Sequence, residues 1–178
     1  MLKRSAYLSY RLIILIALFS SACVCVPRND ENNHARVLAE SEKVRKSWPV
    51  DEVDFTELNE APAQILVDNR SLEEFEISHI PGAIHISQFD EKSAKGKRIV
   101  VYCTIGERSG RYVTDLNKRG IPALNYPGSL LDWLHNGGKI EDSTGNPTHW
   151  VHPYSKSWDF LPRDYKACFQ KPCRMLSP

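Results

Sequence analysis

The chain has 178 residues and a nearly balanced charge, with 23 Lys and Arg against 22 Asp and Glu. This balance excludes the basic excess that marks bulk nucleic-acid binding, so no nucleic-acid partner is predicted. The apolar fraction of 42% is typical of a globular protein. The length suits one domain, with residues left for a leader and a tail.

The N-terminus has the pattern of an export signal. Basic residues at positions 3, 4 and 11 precede an apolar run at 12–19, and small residues lead to Cys23. The run is short for a membrane span, so residues 1–22 are predicted to be a signal peptide and the protein to be exported. Cys23 also resembles the lipid-modified cysteine of bacterial lipoproteins, although Ser20 departs from that pattern. Three outcomes stay open: a periplasmic protein, one lipid-anchored to a bacterial membrane through Cys23, and an uncleaved anchor.

Residues 23–50 are polar and are predicted to be a linker, with Asn and acidic residues clustered at 29–33. Residues 35–46 have helical character, but Val37, Leu38 and Val44 give only a thin apolar face. We therefore expect a solvent-facing helix there rather than a core element.

Residues 51–140 alternate short apolar strands with helical segments. Ser71 and Glu74 form a capping-box pattern that predicts a helix from Leu72 to about Ile77. A second helix is expected over 109–118, with Gly120 at its C-terminal cap. The predicted strands lie at 65–67, 83–86, 99–102 and 120–126, and an apolar helix follows at 130–134. This alternation predicts an α/β fold with a mostly parallel central sheet flanked by helices.

Cys103 directly follows the most apolar strand, at the edge where ligands bind in open parallel sheets. Loop N–H groups and the positive end of the following helix would favour its thiolate, and Arg108 would add a fixed positive charge. The alternative is a small buried hydrophobe, which is a common role for cysteine after a strand.

Three motifs in order carry a resemblance: D-N-R at 68–70, H-I-P-G-A at 79–83 and C-T-I-G-E-R-S at 103–109. Together they resemble the rhodanese-like sulfurtransferase family over about residues 53–139. The resemblance implies a structural ion pair between Asp68 and Arg70. It implies that Cys103 is the catalytic nucleophile and carries a persulfide, with no cofactor and no metal. It assigns substrate binding to the loop residues Thr104, Ile105, Gly106, Glu107 and Arg108.

The implied partners are a small sulfur donor (thiosulfate, a persulfide or a polysulfide) and a thiol or small-protein acceptor. Related phosphatases and arsenate reductases have a loop one residue longer, so the four residues between Cys103 and Arg108 disfavour phosphate chemistry. Glu107 and the uncharged Thr104 and Ile105 reduce the positive charge, which predicts that thiosulfate is a poor donor. The alternative function is a non-enzymatic binding module or thiol redox sensor.

Residues 141–178 lie beyond the resemblance and are predicted to be an aromatic- and proline-rich extension wrapped on the domain. His149 and His152 lack a third ligand at suitable spacing, so no metal site is predicted. Cys168 and Cys173 are candidates for a disulfide, since an exported protein meets an oxidising compartment. Two free thiols, or a thiol that reaches Cys103, remain as alternatives.

Overall fold

The computed structural model describes residues 30–61 and 63–173. The predicted signal peptide and Cys23 lie outside this range. Among the described residues, no helix combines the length and apolar character needed to cross a membrane. The helices are α1 (Asp30–Ser47), α2 (Phe55–Glu60), α3 (Leu72–Ile77), α4 (Glu107–Lys118) and α5 (Ser129–His135). The strands are β1 (Ile65–Asp68), β2 (Ile84–His85), β3 (Ile99–Tyr102), β4 (Leu124–Asn125), β5 (Trp150–Val151) and β6 (Lys166–Ala167).

The central sheet is parallel, with strand order β2-β1-β3-β4. Val67 in β1 lies opposite Ile84 on one side and Val101 on the other. All four residues of β3 are buried, as expected for a strand covered by helices on both faces. The predicted α/β fold with a parallel central sheet is confirmed.

Local sequence signals set the starts and ends of two helices. The capping box of α3 is present: Ser71 Oγ accepts from the Glu74 N–H, and Glu74 carboxylate accepts from the Ser71 N–H. Helix α4 begins at Glu107, two residues before the predicted start, and ends at Lys118. Gly120 follows with φ +76°, the left-handed conformation that favours glycine at this position.

Helix α1 differs from the expected solvent-facing helix, because its residues Val37, Ser41 and Val44 are buried. It packs on α5 and α4. Gly110 of α4 allows this approach, since a Cβ there would lie 2.9 Å from the Trp48 Cβ just after α1. The apolar stripe of α1 is narrow, but Val37 joins the main apolar cluster and Val44 packs beside Gly106. Helix α1 is therefore part of the folded unit and does not act as a linker.

The C-terminal extension is largely irregular and lies on the domain. Val151, Phe160 and Leu161 are buried in the same apolar cluster as Val100 and Tyr102 of β3. Strands β5 and β6 pair in a small parallel sheet. A disulfide joins Cys168 to Cys173.

Candidate active site

The Cys103 thiol lies at the carboxyl end of β3, where the sequence places it. Cys103 is only 1% exposed, yet a cavity of about 170 Å³ opens beside its thiol. That cavity is lined by Cys103, Thr104, Ile105, Glu107, Arg108, Tyr154 and Trp158. Two larger depressions near Lys97 and Arg98, at the other end of β3, are lined by no cysteine or histidine.

The loop after Cys103 is held by the segment that begins α5. The carbonyls of Cys103, Thr104 and Ile105 accept hydrogen bonds from the N–H groups of Leu130, Leu131 and Gly128, at 3.1–3.2 Å. Ser129 Oγ accepts from the Cys103 N–H at 3.1 Å. Because the loop carbonyls are engaged by α5, the loop curls with its own N–H groups available to the sulfur.

Gly106 sits at the turn of this loop with φ +103°. A Cβ at this position would lie 3.1 Å from the Pro127 Cα, a backbone atom, so the loop has no room for a side chain. The Gly106 N–H donates to Cys103 Sγ at 3.1 Å. Glycine is therefore required both by conformation and by close approach.

Burial raises the pKa of the Cys103 thiol, but the Arg108 charge and hydrogen bonds from Ser109 and the Ile105 N–H outweigh it, so that the pKa lies below its ordinary value. Ser109 Oγ also approaches the sulfur at 3.7 Å. A thiolate stabilised in this way is a stronger nucleophile at neutral pH than an ordinary buried thiol.

Arg108 does not stand alone in the site. Its guanidinium donates to both Glu74 carboxylate oxygens, at 2.7 and 2.9 Å, and to Thr104 Oγ1 at 2.9 Å. Burial opposes the charge of Glu74, but Arg108 and the Ser71 N–H hold the pKa of this carboxyl at about 2. Glu74, which completes the capping box of α3, therefore also orients Arg108 beside Cys103.

Asp68 and Arg70 form an ion pair behind the loop, with both side chains fully buried. Arg70 Nη2 donates to Asp68 Oδ2 at 2.7 Å and to the Ser78 carbonyl at 2.5 Å. His85 Nε2 lies 3.1 Å from the Arg70 carbonyl. The pair joins β1 to the segment after α3 and does not line the cavity.

The remaining predicted site residues lie as follows. Glu107 is on the rim of the cavity and accepts from Trp48 Nε1 at 2.8 Å. Cys168 and Cys173 are bonded to each other, and Cys103 is the free cysteine of the described segment. His149 packs on Tyr165, and the described residues include no group of three or more potential metal ligands.

Several residues of the site were not singled out from the sequence. Glu74 was assigned only to the helix cap, and its pairing with Arg108 spans 34 residues of chain. Ser129 and Ser109 contact the Cys103 backbone and sulfur. Tyr154 and Trp158 come from the irregular extension, where no periodic pattern indicates a direction; their aromatic character was the only signal.

A thiol with a lowered pKa thus lies in a loop of N–H donors at the carboxyl edge of a parallel sheet, an arrangement that suits a nucleophilic cysteine. Residues 52–136, which include the parallel sheet and the Cys103 loop, match the family model of the rhodanese-like domain. The extension from residue 141 lies beyond the matched range.

Similar proteins include a thiosulfate:glutathione sulfurtransferase of Saccharomyces cerevisiae, 29% identical over 96 residues, covering 43% of this chain and 69% of the relative. A tRNA sulfurtransferase of Desulfurococcus amylolyticus is 37% identical over 67 residues, covering 37% of this chain and only 14% of the relative. A thiosulfate sulfurtransferase structure from Pseudomonas aeruginosa is 22% identical, with TM-score 0.47, covering 66% of this chain and 22% of that one.

Proposed function

We propose that this protein is a sulfurtransferase that carries sulfane sulfur as a persulfide on Cys103. The observation that carries the proposal is the thiol itself, which is buried, acidified and surrounded by N–H and hydroxyl donors beside an open cavity. The two relatives described above are named sulfurtransferases, which supports this class of activity.

The chemistry divides one transfer into two steps. The Cys103 thiolate attacks the outer sulfur of the donor, the donor's S–S bond breaks, and the leaving group departs with the electron pair. With thiosulfate, that leaving group is sulfite. An acceptor thiolate then attacks the terminal sulfur of the persulfide, takes it, and returns Cys103 to the thiolate.

The loop is suited to hold the intermediate. The Gly106 N–H already lies 3.1 Å from the sulfur, and the Ser109 hydroxyl lies beside it. Donors fixed in advance stabilise a negative sulfur without reorganising. The loop of four residues between Cys103 and Arg108 makes a narrower cradle than phosphate requires, which disfavours a phosphatase.

The test is mass spectrometry of the purified protein after incubation with thiosulfate or polysulfide. We expect the peptide that carries Cys103 to gain one sulfur atom and to lose it to a thiol acceptor. Cys103→Ser is the matched control, nearly isosteric, and should fold but gain no sulfur. A wild-type peptide that never gains sulfur with either donor would favour the non-enzymatic alternative.

We further propose that the protein is exported. The leader-like pattern at 1–22 motivates this, and the Cys168–Cys173 disulfide supports it, because such bonds persist mainly in oxidising compartments. Attachment to a membrane through Cys23 is the finer proposal and rests on the sequence alone.

A further inference from the structure

The wall of the cavity opposite the loop is aromatic and comes from the C-terminal extension. Tyr154 and Trp158 line the same space as Cys103 and Arg108. Both residues lie outside the range that matches the rhodanese-like family model, 52–136. This wall therefore comes from outside the part of the chain that the family model matches.

Trp158 is held in place by the core. It closes a short 3₁₀ turn, Lys156–Trp158, and its ring packs at 5.6 Å from that of Phe160. Phe160 is itself buried, with the Arg36 guanidinium 3.9 Å from its ring. Trp158 therefore lines the cavity from a position that its contact with the core fixes.

Tyr154 is held at the rim at a conformational cost. Its φ is +73°, in the left-handed region that bulky residues rarely adopt. The Tyr154 N–H donates to His152 Nδ1 at 3.1 Å, and the Arg108 guanidinium lies 5.0 Å from its ring. Tyr154 is 57% exposed and lines the cavity, so a strained backbone holds its side chain beside the space that a ligand would enter.

The charges around the thiol do not favour a dianion. Arg108 is already paired with Glu74, and the Glu107 carboxylate lies on the rim. Burial, together with Arg70 and Arg108, lowers the pKa of His152 despite the nearby Glu74, so this ring is neutral at physiological pH. Of the charged side chains that line the cavity, Arg108 is positive and Glu107 is negative, so a dianion such as thiosulfate meets no excess of positive charge there.

Resting on the sulfurtransferase function proposed above, we propose that the donor is a small organic sulfane compound with at most one negative charge. Its apolar group lies between Tyr154 and Trp158, and its transferable sulfur lies at Cys103. The cavity of about 170 Å³ fits a group of this kind, since sites for drug-sized ligands measure about 300–1,000 Å³.

Organic thiosulfonates are suitable probes, because they differ from one another only in the apolar group. The Cys103 thiolate attacks the sulfane sulfur of R–SO₂–S⁻, the new S–S bond forms, and the sulfinate R–SO₂⁻ leaves with the electron pair. Benzenethiosulfonate carries an aromatic group and methanethiosulfonate does not, whereas both are monoanions. The ratio of their kcat/KM values measures the aromatic contact and is independent of the folded fraction of enzyme.

We expect the wild-type benzene-to-methane ratio, corrected for the ratio of their reactions with a free thiol, to exceed 10. Trp158→Leu keeps an apolar residue in the core contact, and Tyr154→Asn removes the ring while tolerating a positive φ. The double variant should lose most of the preference, and Tyr154→Phe should keep it. Phe169→Leu, an exposed aromatic of the same extension outside the cavity, is the matched control.

A corrected wild-type ratio near 1, or an equal ratio in the double variant, would overturn the aromatic-donor proposal and leave the sulfurtransferase function standing. Failure of every donor, thiosulfate and polysulfide included, to add sulfur to Cys103 would overturn both.

Discussion

The acidity of Cys103 results from opposing effects at one atom. Removal from water penalises the thiolate, whereas the Arg108 charge and the donors at Ile105 and Ser109 favour it. The balance leaves the pKa below its ordinary value. Two neighbouring groups have shifted pKa values of their own. Glu74, with a pKa of about 2, stays ionised near neutral pH, and burial holds the pKa of His152 below its ordinary value.

The pH dependence of sulfur uptake tests this balance at Cys103. The rate of sulfur uptake by Cys103 should rise with pH and level off, with a midpoint below 9.0, the ordinary value for a cysteine thiol. Arg108→Ala should move the midpoint upward, since the loss of a positive charge disfavours the thiolate. It should also lower uptake near neutral pH by about 5- to 150-fold, given roughly 1–3 kcal/mol for a charged hydrogen-bonding partner.

Stopped-flow measurement of sulfinate or sulfite release over pH 5–10 would provide the profile. Lys118→Ala, at the far end of α4, is the charge-matched control and should leave the midpoint in place. An Arg108→Ala midpoint equal to that of the wild type would show that the arginine acts on Glu74 and Thr104 but not on the thiol.

The Glu74–Arg108 pair sets a different limit at acid pH. The pKa of Glu74 is lowered on folding, so its contribution to stability is complete above the ordinary value of 4.5 and is lost as the pH falls toward 2. Release of this pair therefore does not explain a loss of activity near neutral pH, where Glu74 stays ionised.

At the scale of elements, the burial of α1 has a direct energetic consequence. Val37 is fully buried, whereas its neighbour Leu38 is 49% exposed. Val37→Ala should lower the free energy of unfolding by about 2 kcal/mol, through lost transfer energy and a residual cavity. Leu38→Ala should change it by less than about 0.5 kcal/mol.

Urea unfolding of the two variants tests this, with the Val37→Ala midpoint expected roughly 1 M below that of the wild type. Equal midpoints for the two variants would mean that α1 contributes nothing to stability and behaves as the linker that its composition suggested.

The elements that the sequence predicts well are those set by neighbours in the chain. The capping box at Ser71 and Glu74, the apolar strand 99–102 and the glycine after α4 each follow from a local rule. The packing of α1 could not be predicted in this way, because its partners lie far along the chain: Gly110 approaches Trp48, and Asn33 donates to the Leu161 carbonyl.

The same distinction applies to the site. Cys103 and its loop are contiguous in the chain, so the order of residues predicts their chemistry. Glu74, Tyr154 and Trp158 reach the cavity only after the sheet and the extension have packed. The direction of an aromatic side chain in irregular backbone depends on that packing, as the contact of Trp158 with Phe160 shows.

At the scale of the whole molecule, the C-terminal extension contributes both to the cavity beside Cys103 and to a disulfide. Formation of that disulfide depends on the compartment in which the protein folds. The extension is anchored by the backbone pairing of Glu141 with His79, by β5–β6 and by buried Leu161. Its last described residues form the Cys168–Cys173 disulfide. If the protein is exported, this bond forms after the chain has left the reducing cytosol.

We therefore predict that the full chain expressed in a bacterium will be processed before Cys23 and will carry the Cys168–Cys173 disulfide. A chain that lacks residues 1–22 should stay in the cytosol with both thiols reduced, and Cys103 should be free in both forms.

Non-reducing peptide mapping gives the disulfide state, and intact mass gives the N-terminus and any lipid on Cys23. Cys23→Ser should abolish membrane partitioning if the lipid is present. A retained leader would contradict processing, and a Cys103–Cys168 or Cys103–Cys173 linkage would indicate instead that the extension serves thiol redox chemistry at the site.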